Sequence, residues 1–346
     1  MLTGAFFHLK VRNSDSKFKA MNQPLLVAAF CLFIIPFSSI NAQKQKSDEP
    51  KPELATSANL RLSNSEKLKA LELNSLVKNV SFRNIGPTIM SGRVVDIDVN
   101  PADPTQFYVA YASGGLWFTN NNGQSFTPVF DNENVITIGD FAVDWAHNTL
   151  FVGTGESNSS RSSYSGLGIF KSTDGAKTWS NIGLCETQHI GKVLINNQNP
   201  DVIWVAALGH LYSANKERGI FKSIDGGKTW TQTLFIDENT GCIDLVQDSE
   251  HPNILYASAW HRERRAWNFT ESGASSGIYK SVDGGNSWEL LTKAGSGFPT
   301  GDGVGRIGLA ICNAGLYAIV DNQDRRPKEK KESKPHLNKD SLKTMS

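Results

Sequence analysis

The sequence predicts an all-β protein assembled from a repeated four-stranded unit. Composition is the first reason: thirty Gly, eight Trp and eighteen Phe beside only four Met in 346 residues describe many tight turns between short aromatic strands. The second is a phrase that occurs four times. Ser172-Thr173-Asp174-Gly175-Ala176-Lys177-Thr178-Trp179, Ser223-Ile224-Asp225-Gly226-Gly227-Lys228-Thr229-Trp230 and Ser281-Val282-Asp283-Gly284-Gly285-Asn286-Ser287-Trp288 are clear copies, and Thr119-Asn120-Asn121-Asn122-Gly123-Gln124-Ser125-Phe126 is a degenerate one. Positions 121, 174, 225 and 283 of these phrases lie 53, 51 and 58 residues apart, and self-similarity at such a period means a repeat architecture. The third is an upstream phrase in which Pro precedes an aromatic strand residue by four: Pro104 and Tyr108, Pro200 and Trp204, Pro252 and Tyr256.

Within one unit the third strand, such as Gly219 to Ser223, runs into the Asp-Gly-Gly turn, and Thr-Trp starts the fourth. The Asp accepts hydrogen bonds from nearby backbone N–H groups, Gly supplies positive φ and Trp packs between sheets. Asn121, Asp174, Asp225 and Asp283, with Trp179, Trp230 and Trp288, are therefore read as structural. The Pro-marked aromatic belongs to the second strand, with Phe151 and Tyr317 equivalent to it, and an apolar first strand precedes each: 94–99, 141–143, 192–195, 242–246 and 307–311. Four short strands in about 50 residues make a propeller blade. Units 92–131, 139–182, 189–235 and 241–292 are complete, while 305–320 is half of a fifth. Blades close into a ring, so the expectation over residues 79–324 is part of a larger, seven-bladed propeller, with its missing remainder as one partner.

Before the repeats, Lys17 and Lys19 precede an apolar run, Leu25 to Phe37, that ends at small residues near Ala42. This describes a secretory signal over 1–42, with Met21 as an alternative start, and the run is short of the roughly 20 residues a membrane span needs. Residues 43–78 read as a polar linker and 325–346 as a Lys-rich solvated tail. The mature chain is expected to be secreted or periplasmic, with no membrane span after signal removal. Thirty-five Lys+Arg balance thirty-four Asp+Glu, a net charge of +1, which argues against a nucleic-acid partner. Beyond the signal, Cys185, Cys242 and Cys312 allow one disulfide at most and match no metal motif, and no cofactor or metal is expected.

These phrases resemble the Asp-box, or BNR-repeat, propellers, which include sialidases, tandem-propeller xyloglucanases and the sortilin N-terminal domain. The chain is most similar to secreted bacterial proteins of the sortilin N-terminal-like or glycosyl-hydrolase-like (WD40/YVTN/BNR-like) group, over roughly residues 83–320. The resemblance implies a ligand-binding propeller or a glycoside hydrolase. The xyloglucanase-like pattern has an Asp before a Gly-Gly of the first blade, where this chain has Ser113-Gly114-Gly115. The sialidase-like Arg stretch is only loosely echoed by Phe82-Arg83-Asn84-Ile85-Gly86-Pro87.

Topology sorts the loops. The Asp turns join strands three and four on one face. On the other face gather the loops between strands two and three, 155–166, 208–218 and 260–276, with the blade connections 131–138, 183–188, 236–240 and 293–304. Long loops on one face of a rigid scaffold are the usual place for function. Glu156, Glu217, Asp237 and Asp302 are the candidates for a catalytic carboxylate pair. Arg161, His210, Arg218, His261, Arg262, Arg264 and Trp267 are the candidate ligand-binding residues, since Arg beside Trp suits a glycan or a peptide or protein ligand. Glu186, His189 and Glu238 lie on the same face. The leading expectation is an exported ligand-binding scaffold; the alternatives are glycoside hydrolysis and an incomplete, non-catalytic fragment.

Overall fold

The computed structural model describes residues 55–80, 92–158 and 163–324. The signal-like segment, the tail after residue 324, the Phe82–Pro87 stretch and Arg161 lie outside them. Four antiparallel four-stranded sheets follow one another along the chain. The first holds β1 (Val94–Val99), β2 (Phe107–Tyr111), β3 (Gly115–Thr119) and β4 (Thr127–Pro128). The second holds β5 (Ile138–Asp144), β6 (Thr149–Thr154), β7 (Ile169–Ser172) and β8 (Ser180–Asn181), and the third β9 (Ile190–Ile195), β10 (Ile203–Ala207), β11 (Gly219–Ser223) and β12 (Thr231–Leu234). In the fourth, β13 (Thr240–Gln247) and β14 (Leu255–His261) are separated from β17 (Gly277–Ser281) and β18 (Glu289–Leu290) by a hairpin, β15 (Glu263–Arg264) and β16 (Phe269–Thr270). A last sheet pairs β19 (Val304–Cys312) with β20 (Gly315–Asn322). This is a partial β-propeller.

The apolar cores lie between successive sheets. Phe130, Phe141 and Leu150 fill the first interface, Phe151, Ile190 and Val205 the second, and Trp204, Cys242 and Leu255 the third. The first strands pack side by side, β1 on β5, β5 on β9, β9 on β13 and β13 on β19. Three of these junctions are stapled by an aspartate on one first strand that accepts a backbone N–H of the next. Asp98 takes Val143 at 3.2 Å, Asp140 takes Val193 at 2.7 Å and Asp244 takes Leu309 at 2.8 Å. Strands β5 and β13 are bulged beside their aspartates, which turns the side chain out of the ladder toward the neighbouring sheet.

The repeated phrase forms a compact turn. Asp225 accepts from Ser223 Oγ (2.8 Å), Thr229 N (2.9 Å) and Thr229 Oγ1 (2.6 Å), and Asp174 and Asp283 do the same in their copies. Hydrogen bonds from the hydroxyl and the N–H four residues on hold all three carboxylates well below the usual range. Asn121 accepts from Ser125 N at 3.0 Å. Trp179 and Trp230 donate to Val129 O and Ile182 O of the preceding sheet, and Trp288 donates to Thr233 Oγ1.

Within the stretch read from sequence as a linker, residues Ala58–Leu73 form a helix, α1, capped by Ser57. Ala58 N donates to Glu186 Oε1 at 2.6 Å, and Arg61 donates to Gly166 O and Cys185 O. Leu62 packs against the first core. Those partners, rather than an apolar stripe, seat the helix, so hydrophobic periodicity gives no sign of it. No described helix is long and apolar enough to cross a membrane. Cys185, Cys242 and Cys312 are free thiols.

Candidate functional site

Three sequence-nominated loops converge where the fourth sheet begins and ends. The connection into β13, the loop between β14 and β17 and the loop before β19 line an open depression of about 740 Å³. Asp237, Glu238 and Asp302 supply carboxylates, His261 an imidazole, and Thr270, Ser272 and Ser275 hydroxyls. Asp237 is oriented by its own turn: Asn239 N donates to Oδ1 and Thr240 Oγ1 to Oδ2, each at 2.8 Å. Burial pushes the Asp237 carboxyl up, but the hydrogen bonds from Asn239, Thr240 and Ser275 outweigh it and hold the group below the usual carboxylate range. A polar relay continues from there. Thr240 Oγ1 lies 2.6 Å from Ser275 Oγ, both hydroxyls lie 3.3 Å from His261 Nδ1, and His261 Nε2 stands 3.7 Å from Glu263.

The β15–β16 hairpin projects beside this depression. Thr270 of β16 lines it, while Arg264 and Arg265 border a second, shallow one with Tyr212. Arg264 stacks over Phe269, 4.8 Å from the ring centroid, and Arg265 Nη1 donates to Tyr212 O at 3.2 Å. Trp267, in the hairpin turn, is 82% exposed. A large indole so open to solvent at a loop tip is available for stacking on a ligand.

Other nominated residues point inward. Arg218 is buried and donates to Asn215 Oδ1 and to the carbonyls of Leu208, Asn239, His210 and Ser213. Its guanidinium thus fixes the 208–218 loop, and burial lowers its pKa to about 10. Arg262 is also buried, stacked 5.6 Å from the Trp260 ring, and desolvation pushes its pKa far down. His210 bonds Ser213 Oγ at 2.9 Å and stands 3.7 Å from Glu186, with burial lowering its pKa. Glu156 is buried against Arg93, and Glu217 is exposed on the 208–218 loop, accepting from Asn215. Asp237 and Asp302 therefore share a depression, and Glu156 and Glu217 do not line it. Among the described residues no group of three His, Cys, Asp or Glu could hold a metal ion.

Ser275 and Thr240 of the relay, and the stapling aspartates, escaped the sequence reading.

No family model and no curated protein matches the sequence. Among solved structures, an ancestral GH74 enzyme aligns with TM-score 0.48 and 18% identity over 63% of this chain and 27% of its own. The GH74 xyloglucanase from Xanthomonas campestris gives 0.47 and 18% over 68% of this chain and 34% of its own. YCF48 bound to D1 peptide gives 0.43 and 14%, over 69% of this chain and 64% of its own. The chain spans about a third or less of the length of these two GH74 proteins, and likenesses at this level carry no argument about what it binds or does.

Proposed function

We propose that the chain is an extracytoplasmic ligand-binding propeller, in the manner of sortilin N-terminal-like proteins, whose ligand is a glycan seated in the depression between Asp237, His261 and Asp302. The observation that carries this reading is the chemistry of that depression. Ionised carboxylates accept hydrogen bonds from sugar hydroxyls, Ser and Thr hydroxyls both donate and accept, and Trp267 offers an open aromatic face at the adjoining hairpin. A shape about 740 Å³ in volume and open to solvent suits a segment of an extended polymer. Export rests on the signal-like segment of the sequence.

Glycoside hydrolysis is the second reading, favoured by Asp237 and Asp302 sharing one depression. Hydrolysis needs one carboxyl with a raised pKa as general acid. Asp237, held low, would serve as base or nucleophile, with Asp302 as the second carboxyl of the pair.

The test is retention of the purified chain on insoluble and soluble polysaccharides, with reducing-sugar release measured on the same samples. Retention without turnover, lost in Trp267→Ala, supports binding. Turnover lost in Asp237→Asn replaces binding with hydrolysis, and failure to retain any glycan defeats both glycan readings.

A further inference from the structure

The polar relay beside the depression is ordered in a way that ligand binding does not require. His261 closes β14 and Glu263 opens β15 two residues on, and along extended chain such residues fall on one side. His261 Nε2 stands 3.7 Å from Glu263 Oε1. The opposite edge of the imidazole meets the loop before β17, with Nδ1 3.3 Å from Ser275 Oγ. Two features of that loop hold the ring there. Ser276 Oγ accepts the His261 backbone N–H at 3.0 Å, and a Cβ at Gly273 would come within 2.7 Å of the ring, so glycine is what lets the imidazole lie against the loop.

A carboxylate, an imidazole and a hydroxyl in sequence are the arrangement that activates a serine. The imidazole takes the hydroxyl proton, and the carboxylate orients the imidazole and stabilises its cation. Separations of 3.3 and 3.7 Å are loose, as such contacts often are until substrate closes them. Thr240 Oγ1 is equally near Nδ1, but Thr240 is fully buried and donates to Asp237. Ser275 is half-buried and lines the depression, so its hydroxyl is the one a ligand reaches. In the same turn, the N–H groups of Ala274 and Ser275 donate to no acceptor among the described residues, which leaves two donors for a developing oxyanion.

We propose that Ser275 is a nucleophile for acyl transfer, with His261 as its general base and Glu263 as the positioning carboxylate, and that its substrate is an uncharged carboxylic ester. Asp237, Glu238 and Asp302 around the depression repel phosphate and sulfate esters, which sets the substrate class. Ser275 Oγ attacks the ester carbonyl carbon as its proton passes to His261 Nδ1. The bond from that carbon to the alcohol oxygen breaks, and the departing oxygen takes the proton from Nδ1. Water then attacks the acyl carbon and gives its proton to Nδ1. The bond to Oγ breaks, Ser275 recovers the proton and the carboxylic acid leaves. Water is the one co-reactant. This goes beyond the glycan reading and does not rest on it.

The experiment follows release of p-nitrophenolate from p-nitrophenyl acetate by the full chain, and maps by mass spectrometry the residue that phenylmethylsulfonyl fluoride labels. Turnover above buffer is expected, with one sulfonyl group on Ser275 and turnover lost as it is attached. Ser275→Ala should return the rate to that of buffer, and His261→Gln should lower it by roughly 10²- to 10⁴-fold. Ser275→Cys should keep measurable turnover, whereas a serine that only spaces the loop would lose nothing chemical in either variant; circular dichroism verifies that all three fold. No turnover above buffer, a rate unchanged in Ser275→Ala, or a sulfonyl group on another residue would each overturn the proposal. Polysaccharide retention is measured on the same preparations. Ester turnover without retention keeps the nucleophile and removes the glycan reading, and retention without ester turnover does the reverse.

Discussion

Removing Asp140 tests whether carboxylate staples hold the sheets together. Its carboxylate, 3% exposed, accepts Val193 N at 2.7 Å and Lys192 Nζ at 2.9 Å, and Asp96 stands 3.4 Å from the same ammonium. Burial pushes the Asp140 carboxyl well above its usual range against the pull of Lys192. Burial also lowers the Lys192 ammonium, but Asp140 and Asp96 more than offset this and hold it above its ordinary value. Asp140→Ala strands the Val193 N–H and leaves the ammonium with Asp96 as its remaining close partner. Breaking a buried pair costs about 3–5 kcal/mol, and an unsatisfied N–H about 1–3 kcal/mol, already counted in part. The Lys192 side chain is 29% exposed, so water screens it, and the lower end, about 3 kcal/mol, is expected. With a urea slope of about 3 kcal/mol/M, the unfolding midpoint should fall by about 1 M. Asp140→Asn keeps an acceptor for Val193 and should fall by less. Lys192→Met added to Asp140→Ala should recover part of the loss, because the half-buried ammonium that has lost its closer carboxylate is gone. A midpoint shift below about 0.2 M for Asp140→Ala, or strictly additive costs in the double variant, would refute the staple.

Trp267→Ala should leave stability within about 0.5 kcal/mol while abolishing glycan retention; a large drop in melting temperature would instead mean that the indole packs. His189 is buried, donates Nδ1–H to Glu156 O at 2.9 Å, and has its imidazole pKa pushed well below the ordinary value by desolvation, with Arg262 adding to it. The unfolded chain therefore takes up a proton that the folded one refuses, and stability should fall as pH drops below about 6.5, by at most about 1.4 kcal/mol per pH unit for this group. Urea midpoints from pH 7 to 5 check this, and an equally steep fall in His189→Gln would remove His189 as the cause. Arg218→Lys keeps the charge but loses the fork that reaches four carbonyls; about 2–3 kcal/mol should be lost and the 208–218 loop should become cleavable by protease, whereas unchanged cleavage would show that the loop orders itself. Gly139→Ala would drive a Cβ into the backbone carbonyls of Ile190 and Gly155 and should cost about 1–3 kcal/mol, measured by thermal unfolding; a neutral result would mean that the second and third sheets are loosely packed.

The candidate site was partly legible for a topological reason. Once strands two and three are known, their loops must fall on one face, and Asp237, His261 and Asp302 do line one depression. Direction of a side chain was not legible. Arg218 and Arg264 read alike as loop arginines, yet one is buried among carbonyls and the other stacks at the rim. Glu156 sits in a Ser-rich loop that reads as solvent-facing, but it is buried against Arg93. Whether a charged residue turns in or out depends on acceptors contributed by other loops.

By itself the sequence determined the repeating four-stranded unit, because the interactions that make it are local. The Asp-turn bonds span two to four residues, and alternating aromatic strands flank them, so residue types at fixed spacing suffice. Tertiary structure alone decided how the units join. The Asp140 staple reaches 53 residues along the chain, and Arg61 of α1 reaches 105 and 124 residues to its carbonyl partners. A hydrogen bond over such a separation leaves no periodic trace in the sequence, since neither end constrains the residues beside it; only the packing of one sheet on the next brings the two groups within reach.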